Sequence, residues 1–442
     1  MRIGFYFENS NNLNAIPVPT SKNFIDPRQW HADNRDYANK IGFNGGCNLH
    51  IWLKYFHPES VVTKLIGDDT TDCDVNVFII TLSGNASKYI YQNIFGFIKK
   101  ETLEFLHKHN ITIIIDYASE RPHMWHAPKF SSNMEWCYVI PTIIYNAMAL
   151  KVSVPIKFLL GLSADGLNRL RENYPIYKTN NTSVNISFDS YQNFWLYYRY
   201  NVERNIEYQY KFNVNGNVSD SKFFVCLMGV AKKHRLAVMS KLIEYKLFPY
   251  KGYSSLFFDG YTQPNIELMK EPISKYRNTK SKYNFNLNLI DFNKNYTVDK
   301  FLTFNELEKG DLIPPVDILN DIYLNIVLES WSGKVGAIPT EKSFKPFYWK
   351  KLPLIYGTVR LVNQLKELGF EFLDIFNYTY DDINIIIDED QTVNFCKNLE
   401  ILQNFTKSDI KNIYEENINL IEHNYNLFMN KKMFNLVEHL FV

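Results

Sequence analysis

The run Ile111-Thr-Ile-Ile-Ile115 is apolar at almost every position. A strand with one wet face alternates apolar and polar residues. A near-continuous apolar run of this length instead fits a strand covered on both faces, as in a parallel sheet. Its surroundings agree. Val75–Leu82 is a second run of strand length, interrupted by Asn76, and between the two runs Phe95, Ile98, Leu103 and Leu106 recur at helical spacing. Parallel strands need a crossover of this kind, so the segment predicts a βαβ unit. Ile3–Phe7 and Val152–Leu160 read as further strands, Thr142–Leu150 and Ala164–Asn173 as helices.

The rhythm then breaks and resumes. Residues 177–221 are dominated by Asn, Ser, Thr and Tyr and read as the end of one domain with its connecting loops. Beyond them, Lys222–Leu227, Tyr253–Phe258, Tyr323–Leu328, Leu352–Tyr356 and Phe372–Phe376 read as strands. Lys233–Tyr245, Thr340–Lys350 and Leu361–Leu368 read as helices, Tyr380–Gln403 as mostly helical, and Ser408 onward as one long helix. The expectation is an α/β chain with domains at 1–215 and 216–404 and a helical tail at 405–442. A length of 442 residues suits two such domains.

Composition excludes some functions. The formal net charge is +1, whereas a dedicated nucleic-acid binder is usually strongly basic. Cys47, Cys73, Cys137, Cys226 and Cys396 form no C-x-x-C pair and read as reduced thiols rather than a disulfide frame or a zinc site. Residues 1–7 are too short and too soon polar for a signal peptide. No apolar run approaches the roughly 20 residues that a membrane span needs. A soluble, cytoplasmic protein is expected.

Open α/β sheets bind ligands at the carboxyl ends of their strands, so polar groups there carry the functional reading. The loop after Tyr323–Leu328 contains Glu329 and Ser330, and the next helix opens at Thr340-Glu341-Lys342. Thr340 suits an N-cap, and Glu341 suits the positive end of the helix dipole. Lys342 opposes that dipole, which a bound anion such as a phosphate would offset. Lys232-Lys-His-Arg235 opens a second helix with the same misplaced charge. It reads either as a solvated charge run or as a diphosphate clamp in which the Arg235 fork takes phosphate oxygens. Asp116-Tyr-Ala-Ser-Glu120-Arg-Pro-His123 follows the buried strand of the first domain. Glu120 reads either as a loop carboxylate paired with a nearby cation or as a general base for an acceptor hydroxyl.

Weaker signals have simpler readings. Asp72-Cys-Asp74 has the D-x-D shape of some metal-dependent transferases, but two acids at that spacing are common. His123 and His126 have no evident third ligand, so no metal is predicted. Phe194–Tyr200 reads as core more readily than as a stacking platform.

Together Glu329-Ser330, Thr340-Glu341-Lys342 and the strand Leu352-Pro-Leu-Ile-Tyr-Gly357 resemble the donor-binding signature of the α1,3-fucosyltransferases. With His234-Arg235, Leu368-Gly-Phe370 and Tyr380-Asp381 added, the pattern is similar to a group of viral and bacterial glycosyltransferases. The resemblance spans roughly residues 222–385. It implies a GT-B-like fold of two facing Rossmann-like domains, the C-terminal one holding the donor. It implies that Arg235 and Lys342 contact a diphosphate, that Glu341 binds ribose hydroxyls, and that Glu329 lies beside the sugar or diphosphate. Ser330 and Thr340 belong to the same donor loop. Ser119-Glu120-Arg121-Pro122 resembles the family's Glu-Ser-Pro loop, whose Glu is the base, with Arg121 replacing a small residue. Glu-Ser-Trp stands where the fucosyltransferases have Glu-Asn-Ser, so fucose is not implied.

The function expected is metal-independent, cofactor-free transfer of a sugar from a nucleotide-diphosphate donor to the hydroxyl of a glycan or other acceptor. If the chain is viral, it would act in the host cytoplasm. Three alternatives remain open. One is a transferase acting on a hydroxylated base in DNA, with the basic Lys270–Lys282 loop on phosphates. Another is a metal-dependent transferase using Asp72 and Asp74. The third is a degenerate, non-catalytic binding or virion protein.

Overall fold

The computed structural model describes residues 1–7, 49–81, 98–117, 139–161, 184–191, 221–257, 285–292, 316–333, 339–382, 388–430 and 436–441, with 95, 167, 195, 196, 199 and 296 besides. The chain divides into two compact units. One comprises Met1–Tyr197 with Asn430–Val442, the other Tyr198–Met429.

The first unit carries six parallel strands: β1 (Ile3–Phe7), β2 (Val61–Leu65), β3 (Val75–Thr81), β4 (Thr112–Tyr117), β5 (Ile156–Leu160) and β6 (Ile186–Ser190). Their order is β2-β1-β3-β4-β5-β6. Its described helices include α1 (Leu49–Phe56), α2 (Lys100–Lys108) and α3 (Val139–Ala149). Ile113, Ile114 and Ile115 are all fully buried, as a strand covered on both faces requires. The β6 strand lies inside the stretch read as loops. Its polar composition hides a period of two, with Ile186 and Phe188 packed in the core and Asp189 paired with Lys157 of β5 at 3.2 Å. Of the aromatic run, Trp195, Leu196 and Arg199 are buried, and its other residues lie outside the described ones.

The D-x-D pair has structural partners. Asp72 pairs with Lys64, and Asp74 accepts the backbone N–H of Arg2 at 2.7 Å. Both acids precede β3, at the amino ends of the strands, opposite the edge where such sheets bind ligands.

The second unit carries β7 (Phe224–Val230), β8 (Gly252–Phe257), β9 (Leu324–Gly333) and β10 (Leu352–Thr358), all parallel, in the order β10-β9-β7-β8. Its helices include α4 (Lys233–Glu244), α5 (Val316–Asp321), α6 (Glu341–Tyr348), α7 (Leu361–Glu367), α8 (Asp388–Leu402), α9 (Lys407–Glu416) and α10 (Ile418–Met429). The expected α/β class, two Rossmann-like units on parallel sheets, is what the chain adopts. One expected strand is absent: 372–376 is a turn. Phe372 serves α6 instead, edge-on to Phe347 at 6.0 Å, next to Phe370, which stacks on Phe347 at 4.1 Å. The single long helix expected from Ser408 is two, divided at Asn417.

The segment 405–442 is shared between the units. α10 lies on α6 through Phe344–Phe428 and Tyr348–Tyr425 ring contacts, each at 6.3 Å. The last helix, α11 (Leu436–Phe441), belongs to the first unit. Phe441 meets Phe5 of β1 at 6.3 Å, and Lys157 donates to the carbonyl of Leu440. No helix among the described residues is long and apolar enough to cross a membrane.

Candidate functional site

Strand order locates the place to look. From β7 the chain moves to β8 on one side and then returns to β9 on the other. The sheet therefore reverses direction between β7 and β9, the switch point at which open α/β sheets form a ligand crevice. Here the strands also part. β7 and β9 pair only at Phe224–Leu324 and Val225–Asn325, whereas β9 and β10 stay in register from Leu324 to Leu328.

Two side chains from the start of α4 bridge the split. His234 Nε2 lies 3.0 Å from the carbonyl oxygen of Glu329, and Arg235 Nη2 donates to that of Leu328 at 3.1 Å. They meet carbonyls on a stretch of β9 that β7 does not reach. A carbonyl only accepts, so His234 Nε2 carries the proton. Burial, reinforced by the Arg235 charge, pushes the imidazole down to about 3, so it is neutral at ordinary pH. The basic cluster thus divides. Lys233 is exposed and Lys232 half-buried, while His234 and Arg235 are almost wholly enclosed. A solvated charge run describes only its first half.

The start of α6 faces the same crevice edge, and its anion is internal. Glu329, 1% exposed, turns its carboxylate onto the helix. Oε1 accepts from the N–H of Thr340 at 3.0 Å and from the N–H and hydroxyl of Ser343 at 3.2 and 2.6 Å. Oε2 accepts from the Thr340 hydroxyl at 2.5 Å. Thr340 in turn caps the helix by accepting from the N–H of Lys342 at 3.3 Å. Gly357 leaves the room this needs: a Cβ there would stand 3.0 Å from Glu329 Cβ and 2.4 Å from Leu361 Cδ2.

This arrangement gives Glu329 and the start of α6 partners within the chain. Glu329 serves as a clasp that joins β9 to α6, because both its oxygens are engaged by the helix. The N–H groups of Thr340, Lys342 and Ser343 have acceptors within the chain. The charge that offsets Lys342 is likewise internal, since its ammonium pairs with Glu341. Burial would lower the Lys342 pKa, but the Glu341 and Glu329 carboxylates raise it. Burial would raise that of Glu341, but Lys342 and Lys345 pull it down to about 2. Both side chains are therefore charged, and both reach solvent, at 13% exposure for Glu341 and 25% for Lys342.

Of the residues singled out in sequence, Arg235, Glu329, Thr340, Glu341 and Lys342 are brought together at this crevice. Ser330 lies on β9. Glu120, His123, His126, Lys270–Lys282 and Ala164–Asn173 (except Leu167) lie outside the described residues. Ser343 was missed. Nothing in the sequence marked it, because its hydroxyl serves Glu329, fourteen residues earlier on another element.

No family model matches the sequence, and no curated protein matches it. Among solved structures the chain is similar to the N-terminal domain of trehalose-6-phosphate phosphatase from Candida albicans, at 10% identity and a TM-score of 0.41, over 99% of this chain and 89% of that one. It is similar to UDP-GlcNAc 2-epimerase from Neisseria meningitidis bound to UDP-GlcNAc, at 10% identity and a TM-score of 0.38, over 100% and 99%. It is also similar to a UDP-forming α,α-trehalose-phosphate synthase from Burkholderia vietnamiensis, at 10% identity and a TM-score of 0.37, over 80% and 81%. At such scores these likenesses carry no argument about the site, which rests on its own residues.

Proposed function

We propose that the chain is a GT-B-like glycosyltransferase that takes a sugar from a nucleotide-diphosphate donor. The observation that carries this is the meeting of Arg235, Lys342 and Glu341 at the switch point where β7 and β9 part. Lys342 and Glu341 are water-accessible there, and Arg235 adds a fixed charge close enough to act on Lys342. Ammonium and guanidinium suit a diphosphate, and a carboxylate suits the hydroxyls of a ribose. Glu329, Thr340 and Ser343 hold α6 in place rather than touching the donor.

In this reading the acceptor oxygen forms a bond to the anomeric carbon as the bond from that carbon to the diphosphate breaks. The acceptor proton passes to Glu120. The departing nucleoside diphosphate keeps the electron pair, and Arg235 and Lys342 stabilise its growing charge without a metal.

Calorimetry with a panel of nucleoside diphosphates and nucleotide sugars tests the reading. Lys342→Ala removes a charge-assisted contact worth about 1.5–3 kcal/mol, so donor affinity falls about 10- to 100-fold. Unchanged affinity in a folded variant overturns the assignment. Glu120→Gln tests the base separately: it keeps donor binding while transfer falls about 100-fold or more. Wild-type transfer in that variant places the base elsewhere.

A further inference from the structure

The outer face of α3 lacks what a surface helix usually shows. Such a helix packs an apolar stripe on the core and turns charged residues to water. The eleven residues of α3 include no charged one. Ile143, Ile144 and Ala147 supply the inner stripe, in the core of the first unit. On the outside Tyr145 is 74% exposed and Met148 41%, three residues apart and so on one face. Leu150, 44% exposed, follows where the helix ends. One exposed apolar residue needs no explanation, but three within six positions on an uncharged helix form a strip. Basic groups flank it. Lys151, also exposed, comes next in the chain. Lys108 lies in the last turn of α2, and that turn reaches the same place, because His107 Nε2 accepts from the N–H of Ser153 at 3.3 Å. Among the described residues neither lysine has a carboxylate partner.

We propose that the α3 face of the first unit docks on a membrane surface that carries anionic lipid headgroups. Met148 and Leu150 enter the boundary between headgroups and acyl chains. Tyr145 stays at headgroup level, with its ring in apolar surroundings and its hydroxyl in water. Lys108 and Lys151 meet the lipid phosphates. Shape and extent favour this occupant. A single convex helix offers no groove to a peptide. A stable dimer buries about 20–30 residues a side, far more than this strip presents. A bilayer needs neither groove nor extent, because side chains enter it singly and its negative surface draws lysines. The nearby acids do not cancel that attraction. Glu101 and Glu104 stand toward the other end of α2, with Glu104 paired to Lys100 at 3.7 Å. The acidic loop 68–74 leads into β3, one crossover away from α3, and meets α2 through Thr70 and His109 at 3.4 Å. A helix is about 10 Å wide, and exposed charges that far apart are largely screened where the Debye length is about 8 Å. The proposal is independent of the nucleotide-sugar reading.

The full chain is sedimented with vesicles of phosphatidylcholine alone and of equimolar phosphatidylcholine and phosphatidylglycerol. Wild type binds the mixed vesicles more tightly than the neutral ones, and added salt releases it. Each lysine beside an anionic surface accounts for about fivefold in partitioning, so Lys108→Gln with Lys151→Gln lowers binding to the mixed vesicles about 25-fold and flattens the salt dependence. Met148→Ser with Leu150→Ser lowers it about tenfold and leaves the salt dependence as it was. All four positions are exposed, so urea midpoints stay at the wild-type value. Failure of wild type to bind the mixed vesicles overturns the proposal, as does binding that neither pair of substitutions weakens. Light scattering addresses the competing occupant. A dimer in solution that Met148→Ser with Leu150→Ser dissociates makes the strip a contact between copies and also overturns the proposal.

Discussion

Replacing Glu329 by alanine is expected to destabilise the 198–429 unit by about 4 kcal/mol and to release the start of α6. The carboxylate accepts from two backbone N–H groups and two hydroxyls in a buried place. Each buried donor left without an acceptor costs about 1–3 kcal/mol, and rotation of the two hydroxyls recovers part of that. Water entering the space of the lost side chain recovers some more. Glu329→Gln keeps one oxygen in place and should cost less than half as much. The local readout is hydrogen exchange at the amide of Thr340, which should lose protection in Glu329→Ala well before the strands do, while the Ser343 N–H keeps the Thr340 carbonyl at 3.1 Å. Protection equal to wild type would show that the clasp does not hold the helix.

The second large effect is a dependence on pH. Asp381 is 2% exposed and caps α7, accepting from the N–H of Val362 at 3.1 Å and of Asn363 at 2.8 Å. Burial raises its pKa from 3.8 to about 7, against the lowering pull of those N–H groups and of Arg360. The folded state therefore holds this proton more tightly than the unfolded chain does. The contribution is fully present below about pH 4 and is lost as pH rises through 7, because stability falls wherever the folded state binds the extra proton. A shift of this size corresponds to about 4 kcal/mol at most. Asp381→Asn cannot ionise, so it should lack this loss. In urea unfolding it should match or trail wild type at pH 5 and exceed it at pH 8. Parallel curves for the two proteins would mean that Asp381 is ionised throughout.

Much of the fold was legible because its strands are apolar on both faces and its helices carry apolar stripes. The same property limited the reading of the site. Leu324 to Glu329 are all buried, so β9 shows no alternation from which the direction of the Glu329 side chain could be read. Its place at a strand end suggested a ligand contact, and the helix it clasps took that place. The parting of β7 from β9 was hidden for another reason. Register belongs to a pair of strands, and these two lie about a hundred residues apart in sequence. The misplaced charge of Lys342 was visible, but a neighbour such as Glu341 offsets it as well as a phosphate can. In β6 the period of two was present but masked by Asn- and Ser-rich flanks.

The packing of α11 against β1 bears on how the chain is made. Phe5 emerges from the ribosome before the 198–429 unit, and Phe441, which meets its ring, emerges after the whole of it. Domains commonly fold as units in the order of synthesis. Here the order is crossed: the unit begun first is finished last. Its sheet must wait with one aromatic contact of β1 unmade while the later unit is synthesised.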